Sequence, residues 1–157
     1  MQTLALSRAP VIASHSSARA LTDHSRNLDD EMLLALKGNG GVIQTVAFGT
    51  YVSELRRAHW ASGGDFADAP PATISDFVDH IDYMVDLIGI EHVGISSDFD
   101  GGGGLIGWDN ASETFNVTSE LVRRGYTEEE IELMWSGNLL RVLDDVQRIA
   151  QEIQNEA

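Results

Sequence analysis

Three short apolar runs alternate with longer amphipathic stretches along the chain. The first, Pro10-Val11-Ile12-Ala13-Ser14-His15, stops on polar residues. The second, residues 41–48, is too short for a typical helix and rich in β-branched side chains, so it is predicted as a buried strand. The third, residues 92–99, is broken sharply by Gly101 to Gly104. Between the first two, a helix is expected from about Asp29: Asn27 offers an N-cap, Asp29, Asp30 and Glu31 suit the positive end of the helix dipole, and Gly38 suits the exit. Residues 49–72 are polar and ending in Pro70-Pro71, and are expected to be irregular. Ile74, Phe77, Val78, Ile81, Val85 and Ile88 then fall at helical spacing, with Gly89 as a stop. Three further helices are expected: one from near Ser112, one opened by a Thr127/Glu130 capping box, and one from Asn138 with Leu140, Leu143, Val146 and Ile149 on one side.

Strands alternating with helices define an α/β chain with a parallel sheet. No internal repeat or linker divides it, so residues 1–157 are expected to form a single domain. Three strands make a small, open sheet, and the architecture looks unfinished. Composition narrows the partners. Hydrophobic residues at 43% and charged ones at 22% suit a globular protein. No apolar run approaches the ~18 residues of a membrane span, and the N-terminus lacks the pattern of a signal peptide. The net charge of −15 falls almost entirely after residue 60, which argues against a nucleic-acid partner. With no cysteine in the chain, any metal must be held by His, Asp or Glu.

Two such residues stand at equivalent places: His15 closes the first strand and Asp98 the third. In parallel α/β folds the C-terminal ends of strands are where sites are built. Imidazole nitrogen and carboxylate oxygen both suit a divalent cation such as zinc. The pair taken alone is read more readily as a hydrogen-bonded polar residue and the start of a turn. The glycines after Asp98 do not form a phosphate cradle, because Asp98 and Asp100 flank them and no Gly-Lys-Ser/Thr follows; a tight turn or a close backbone approach suits them better. Arg26, in the loop leaving the first strand, can grip a carboxylate with two parallel hydrogen bonds, or equally form an internal ion pair with Asp23 or Asp30. Among the other histidines, His24 and His59 have weaker cases, His80 suits a satisfied position at the edge of the apolar stripe, and His92 opens its strand at the end away from Asp98.

Taken in order and spacing, these segments resemble the membrane (renal) dipeptidase family of zinc peptidases. Residues 7–18 look like the family's strand with a zinc-binding histidine, and residues 23–33, with Asp23-His24-Ser25-Arg26-Asn27, like its substrate-arginine loop and next helix. Residues 41–48 look like a central barrel strand. Residues 92–101 are similar to the segment bearing the active-site aspartate, and residues 137–142 to a closing helix. The resemblance implies a partial (β/α)8 TIM-type barrel, about the last three βα units plus C-terminal helices. It implies hydrolysis of a dipeptide substrate at a binuclear zinc site. His15 becomes a metal ligand, Asp98 the catalytic acid/base carboxylate that also meets the substrate, and Arg26 the clamp for the substrate's terminal carboxylate.

The family also uses a His-x-Asp pair, a bridging glutamate and a further histidine, none of which occurs at the corresponding places here. Such a barrel needs about eight strands and ~250 residues. Met1 falls inside what resembles the helix before the His15 strand. The chain is therefore expected to be truncated, with an incomplete zinc site and little activity alone. Alternatives are a non-catalytic half-barrel needing a complementing chain or a homo-oligomer, and another barrel metallohydrolase.

Overall fold

The computed structural model describes residues 1–156, the side chain of Phe66 excepted. A first short helix, α1 (Gln2–Leu6), precedes strand β1 (Ile12–Ser16); α2 (Asp30–Gly38) leads into β2 (Val42–Val46). Then α3 (Gly49–Val52), α4 (Glu54–Ala61) and the long α5 (Ile74–Ile88) lead to β3 (Val93–Ser96). The three strands run parallel in the order β1-β2-β3. Every residue of the central strand β2 is buried, as expected where a parallel sheet is covered on both faces. The result is an α/β fold in which all three strand C-termini lie at one end of the sheet.

α5 shows why the apolar spacing predicts its own packing. Phe77, Val78, Ile81, Met84 and Ile88 are all fully buried, on one side of the helix against β2 and β3. Thr73 and Asp76 close a reciprocal capping box at its start, and Gly89 at φ 91° ends it. The same core takes in Leu33 and Leu36 from α2, Ile43 and Val93 from the sheet, and Trp108, which meets Phe77, Phe99 and Trp135 edge-on.

Several expectations are revised. The stretch 49–72 is not irregular throughout. α4 forms there, its start capped by the Ser53 hydroxyl accepting from the Arg56 N–H, but it buries none of its residues and so writes no apolar stripe into the sequence. The N-cap of α2 is Asp29, whose carboxylate accepts from the Met32 N–H; Asn27 is buried and used elsewhere. His92 belongs to a short 3₁₀ turn, Ile90–His92, ahead of β3. α6 (Thr114–Arg124) begins near the expected place, and Thr127 with Glu130 caps α7 (Glu128–Glu132). A π-helical turn, Leu133–Gly137, then joins α7 to α8 (Asn138–Glu156).

The apolar stripe of α8 faces outward. Leu140, Leu143 and Val146 are exposed at 56%, 50% and 36%, while Asn138 and Val142 face inward. The cause is polar. The Asn138 side-chain amide donates to the Ile90 and Val93 carbonyls, and Arg141 to those of Gly40 and Glu91. These bonds satisfy backbone groups beneath the sheet and set the rotation of the helix against the pull of its leucines.

Candidate functional site

The end of β1 contains an extra residue. Ala13 pairs with Ile43 but Ser16 pairs with Thr45, so three steps along β1 match two along β2. This is a β-bulge at Ser14 and His15, a feature that re-aims side chains at strand ends. In an unbroken register His15 would stand beside Thr45, on the face that Ile43 presents to the helices. The bulge sets it beside Gln44 instead, on the face shared with Gly94, Val46 and Ser96.

His15 is half-buried and tethered on both ring nitrogens. Its Nδ1 lies 2.8 Å from the Ser14 hydroxyl, and its Nε2 lies 2.7 Å from Nη2 of Arg26. A guanidinium only donates, so Nε2 accepts, and the proton sits on Nδ1 facing Ser14. His15 thus presents the lone pair of a neutral imidazole to a cation, which is the form a metal ligand takes. Arg26 is exposed and meets His15; it forms no ion pair with Asp23 or Asp30. The Asp23 N–H bonds Glu54, and the Asp30 carboxylate accepts from the Tyr83 hydroxyl.

The Arg26 loop is closed on itself. The Leu28 N–H donates to the Ser17 carbonyl, and the Arg19 N–H to that of Leu28. Buried Asn27 accepts from the Ser17 N–H and donates to the carbonyls of Thr22 and Tyr51. His24 accepts the Arg26 N–H at Nδ1 and stacks on Tyr51 at 4.3 Å. Burial, and then the charges of Arg26, Arg57 and Arg19, push its pKa down, which keeps that acceptor unprotonated.

Asp98 follows β3 at the same end of the sheet. It is the one non-glycine residue at positive φ among the described residues, at φ 53° and ψ 30°. Such a conformation costs roughly 1–2 kcal/mol for a residue with a Cβ and is characteristic of functional turns. Its carbonyl accepts from the N–H groups of Gly101 (2.9 Å) and Gly103 (2.7 Å), while the Gly104 N–H reaches back to the Ala47 carbonyl beyond β2. A Cβ on Gly101 would run into the Asp98 carboxylate, and one on Gly103 into the backbone of Ser97 and Asp98. The glycines therefore serve a tight turn and close backbone approach. β2 lies between His15 and Asp98, so two strand spacings, about 10 Å, separate their strands. The structure brings His15 and Arg26 into contact and puts Asp98 at the same rim without touching either.

A cleft of about 1020 Å³ opens beside this rim, between α3–α4 and the loop after Asp98. Its walls include His24, Phe48, Arg57, Trp60, Glu113 and Gly102. Neither His15, Arg26 nor Asp98 lines it; the cleft adjoins the rim through His24 and Gly102. The roles of His24 and Asn27 in holding Arg26 were not visible in the sequence beyond their adjacency to it. His59 bonds the Asp65 carbonyl, and His92 bonds the Gly41 carbonyl at the far end of the sheet.

Among the described residues no three His, Cys, Asp or Glu side chains come together. One imidazole with a carboxylate on the next strand but one falls short of the three or four protein ligands that zinc takes. The residues of this chain do not by themselves make a closed metal site.

The fold superposes on solved structures of a known class of hydrolases. The description "Membrane dipeptidase (Peptidase family M19)" matches residues 1–157, and the chain belongs to that family. It is 41% identical to dipeptidase ataJ of Aspergillus terreus over 98% of this chain and 35% of that protein. With dipeptidase 3 of Rattus norvegicus it shares 36% identity over 96% of this chain and 28% of the relative. Among solved structures, the probable dipeptidase PvdM from Pseudomonas aeruginosa superposes with a TM-score of 0.84 at 39% identity, over 94% of this chain and 47% of the other. A metallo peptidase from Rhodobacter sphaeroides, liganded with a phosphinate mimic of the dipeptide L-Ala-D-Ala, gives 0.78 at 26% identity, over 90% of this chain and 38% of the other. The chain thus spans about a third of the length of these curated relatives. The family is one of metallopeptidases, so it implies a metal and dipeptide substrates. Among the described residues no helix is long and apolar enough to cross a membrane.

Proposed function

We propose that residues 1–157, as one domain, form part of a (β/α)8 barrel and carry the C-terminal share of a zinc dipeptidase site. The observation that carries this reading is the contact of Arg26 with His15 at the bulged end of β1, with Asp98 held in a left-handed turn at the same rim. In this reading Arg26 leaves His15 to grip the free carboxylate of a dipeptide with two parallel hydrogen bonds. Asp98 takes a proton from the attacking water and delivers it to the leaving amine as the amide C–N bond breaks. His15 contributes one imidazole to the zinc site. Since the chain's donors do not complete that site, the chain alone is expected to have little or no peptidase activity.

The test is turnover of an unblocked dipeptide by purified chain in excess zinc, with and without a polypeptide supplying the missing ligand-bearing strands. Activity only in the mixture is expected; turnover by the chain alone at the rate of a complete family member would refute the claim. A second reading, a half-barrel that works by docking to a complementing chain or another copy, is favoured by the unpaired outer edges of β1 and β3 and by the outward stripe of α8. Arg26→Ala separates dipeptidase chemistry from another barrel metallohydrolase acting on amides or phosphoesters. In the active mixture it should raise KM for free-carboxylate dipeptides by about tenfold or more and leave blocked amides unchanged. Equal effects on both would remove Arg26 from the carboxylate clamp.

A further inference from the structure

His80 is the one histidine that the core swallows. It lies on the buried side of α5 at 1% exposure, and neither metal binding, proton transfer nor substrate capture uses it. Its ring meets polar groups from two other parts of the chain. Nδ1 lies 3.1 Å from the Ala18 amide nitrogen and Nε2 lies 3.4 Å from the Thr22 hydroxyl, while the Val52 backbone at the end of α3 favours a proton on the ring.

The chemistry of these partners selects one form of the ring. A backbone amide only donates, so Nδ1 carries the lone pair and the ring proton sits on Nε2, toward Thr22 and Val52. A doubly protonated ring would set one N–H against another. Burial acts in the same sense, holding the pKa at about 4 against the opposing pull of the Val52 backbone, Asp79 and Asp76.

Ala18 and Thr22 belong to the closed loop that presents Arg26. Ala18 forms a bridge with Leu28, Ser17 and Arg19 on either side of it bond Leu28, and the Thr22 carbonyl accepts from Asn27, the residue after Arg26. Fixing Ala18 from beneath therefore fixes both ends of the loop.

We propose that His80 is a positioning residue: its Nδ1 anchors the Ala18 amide and so holds the loop 17–28 in the form that sets Arg26 against His15. Calling this catalytic support rests on the dipeptidase reading of Arg26; the anchoring does not. Among the described residues the loop has no other acceptor from α5, and loss of this one leaves a buried N–H without a partner.

The test uses the full isotope-labelled chain and needs no turnover. Two-bond proton–nitrogen spectra at about pH 7 should show His80 protonated at Nε2 and bare at Nδ1. His80→Asn keeps an oxygen near the Nδ1 position, His80→Gln keeps a donor near Nε2, and His80→Leu keeps neither. In His80→Leu, hydrogen exchange at Ala18 should accelerate by about tenfold or more relative to the α5 amides, with loss of the Arg26–His15 Overhauser contact. His80→Asn should bring Ala18 back to within about threefold of the parent and restore the contact, and His80→Gln should not. A proton on Nδ1 in the parent, or His80→Leu with Ala18 and Arg26 unchanged, overturns the proposal. Should His80→Leu fail to fold, the tautomer and the Asn-against-Gln comparison still decide it, and better protection by Gln counts against it. Failure of the dipeptidase reading would appear instead as absent turnover in the complemented mixture, with these spectra unaltered.

Discussion

Gly103→Ala is expected to destabilise the protein by about 3 kcal/mol, and Gly101→Ala, two residues away, by less than ~1 kcal/mol. The two glycines sit in one turn, and what differs is the atom each new methyl would meet. On Gly103 it drives into the Ser97 carbonyl oxygen and comes within 2.7 Å of the Asp98 oxygen and 2.8 Å of the Asp98 carbonyl carbon. That backbone cannot yield. The Ser96 carbonyl accepts from Ala47, and the Asp98 carbonyl already accepts from Gly101 and Gly103 itself. On Gly101 the methyl meets the Asp98 carboxylate, which can swing aside. Urea denaturation of both variants checks the contrast. Equal midpoints would show that the turn beneath Asp98 is soft, and that its left-handed backbone is not held by the glycine stack.

Most of the framework was legible because it rests on short-range rules. The stripe from Ile74 to Ile88 predicts α5 and its buried face, and the β-branched run ending at Val46 predicts a strand covered on both sides. The placement of His15 and Asp98 at one rim follows from parallel strands alone. What escaped was decided by contacts distant in sequence. The rotation of α8 is set by Asn138 and Arg141 reaching backbone carbonyls some 45 to 101 residues away, which no periodicity encodes. The bulge that turns His15 onto the Gln44 face adds one residue to a five-residue strand and leaves no compositional mark. Asn27 has the chemistry of a helix cap, yet buries its amide across three backbone groups, and Asp29 takes the cap. The expected place of His80 at the edge of its stripe was satisfied in hydrogen bonding but wrong in depth: it lies fully inside. The contact of Arg26 with His15 is the gain that sequence spacing could not supply, since the ion pairs offered by Asp23 and Asp30 were equally available on paper.

Acid should weaken the protein in two pH windows, and His80→Asn should flatten the first. Burial lowers the His80 pKa from its ordinary 6.5 to about 4 in the folded protein. Below pH 6.5 the unfolded chain binds a proton at this position and the folded one does not, so stability falls with pH from there until the folded ring titrates near 4. The whole step is roughly 3 kcal/mol, or ~6–12 °C in Tm for a chain of this size. Glu120 acts lower on the scale. Its hydrogen bond to Arg123, reinforced by one to Arg124 and opposed by burial, holds its pKa at about 2 instead of 4.5. Its stabilising contribution is therefore present above pH 4.5 and is lost as pH falls toward 2. His24, whose pKa is also lowered, contributes in the first window, but equally in the parent and the variant, so the difference between them isolates His80. Asparagine does not titrate, so the Tm of His80→Asn should decline less steeply than the parent's between pH 6.5 and 4 and run parallel to it below. Parallel curves throughout would mean that the folded ring takes up its proton as readily as the unfolded one, so that neither burial nor the Ala18 N–H holds it neutral.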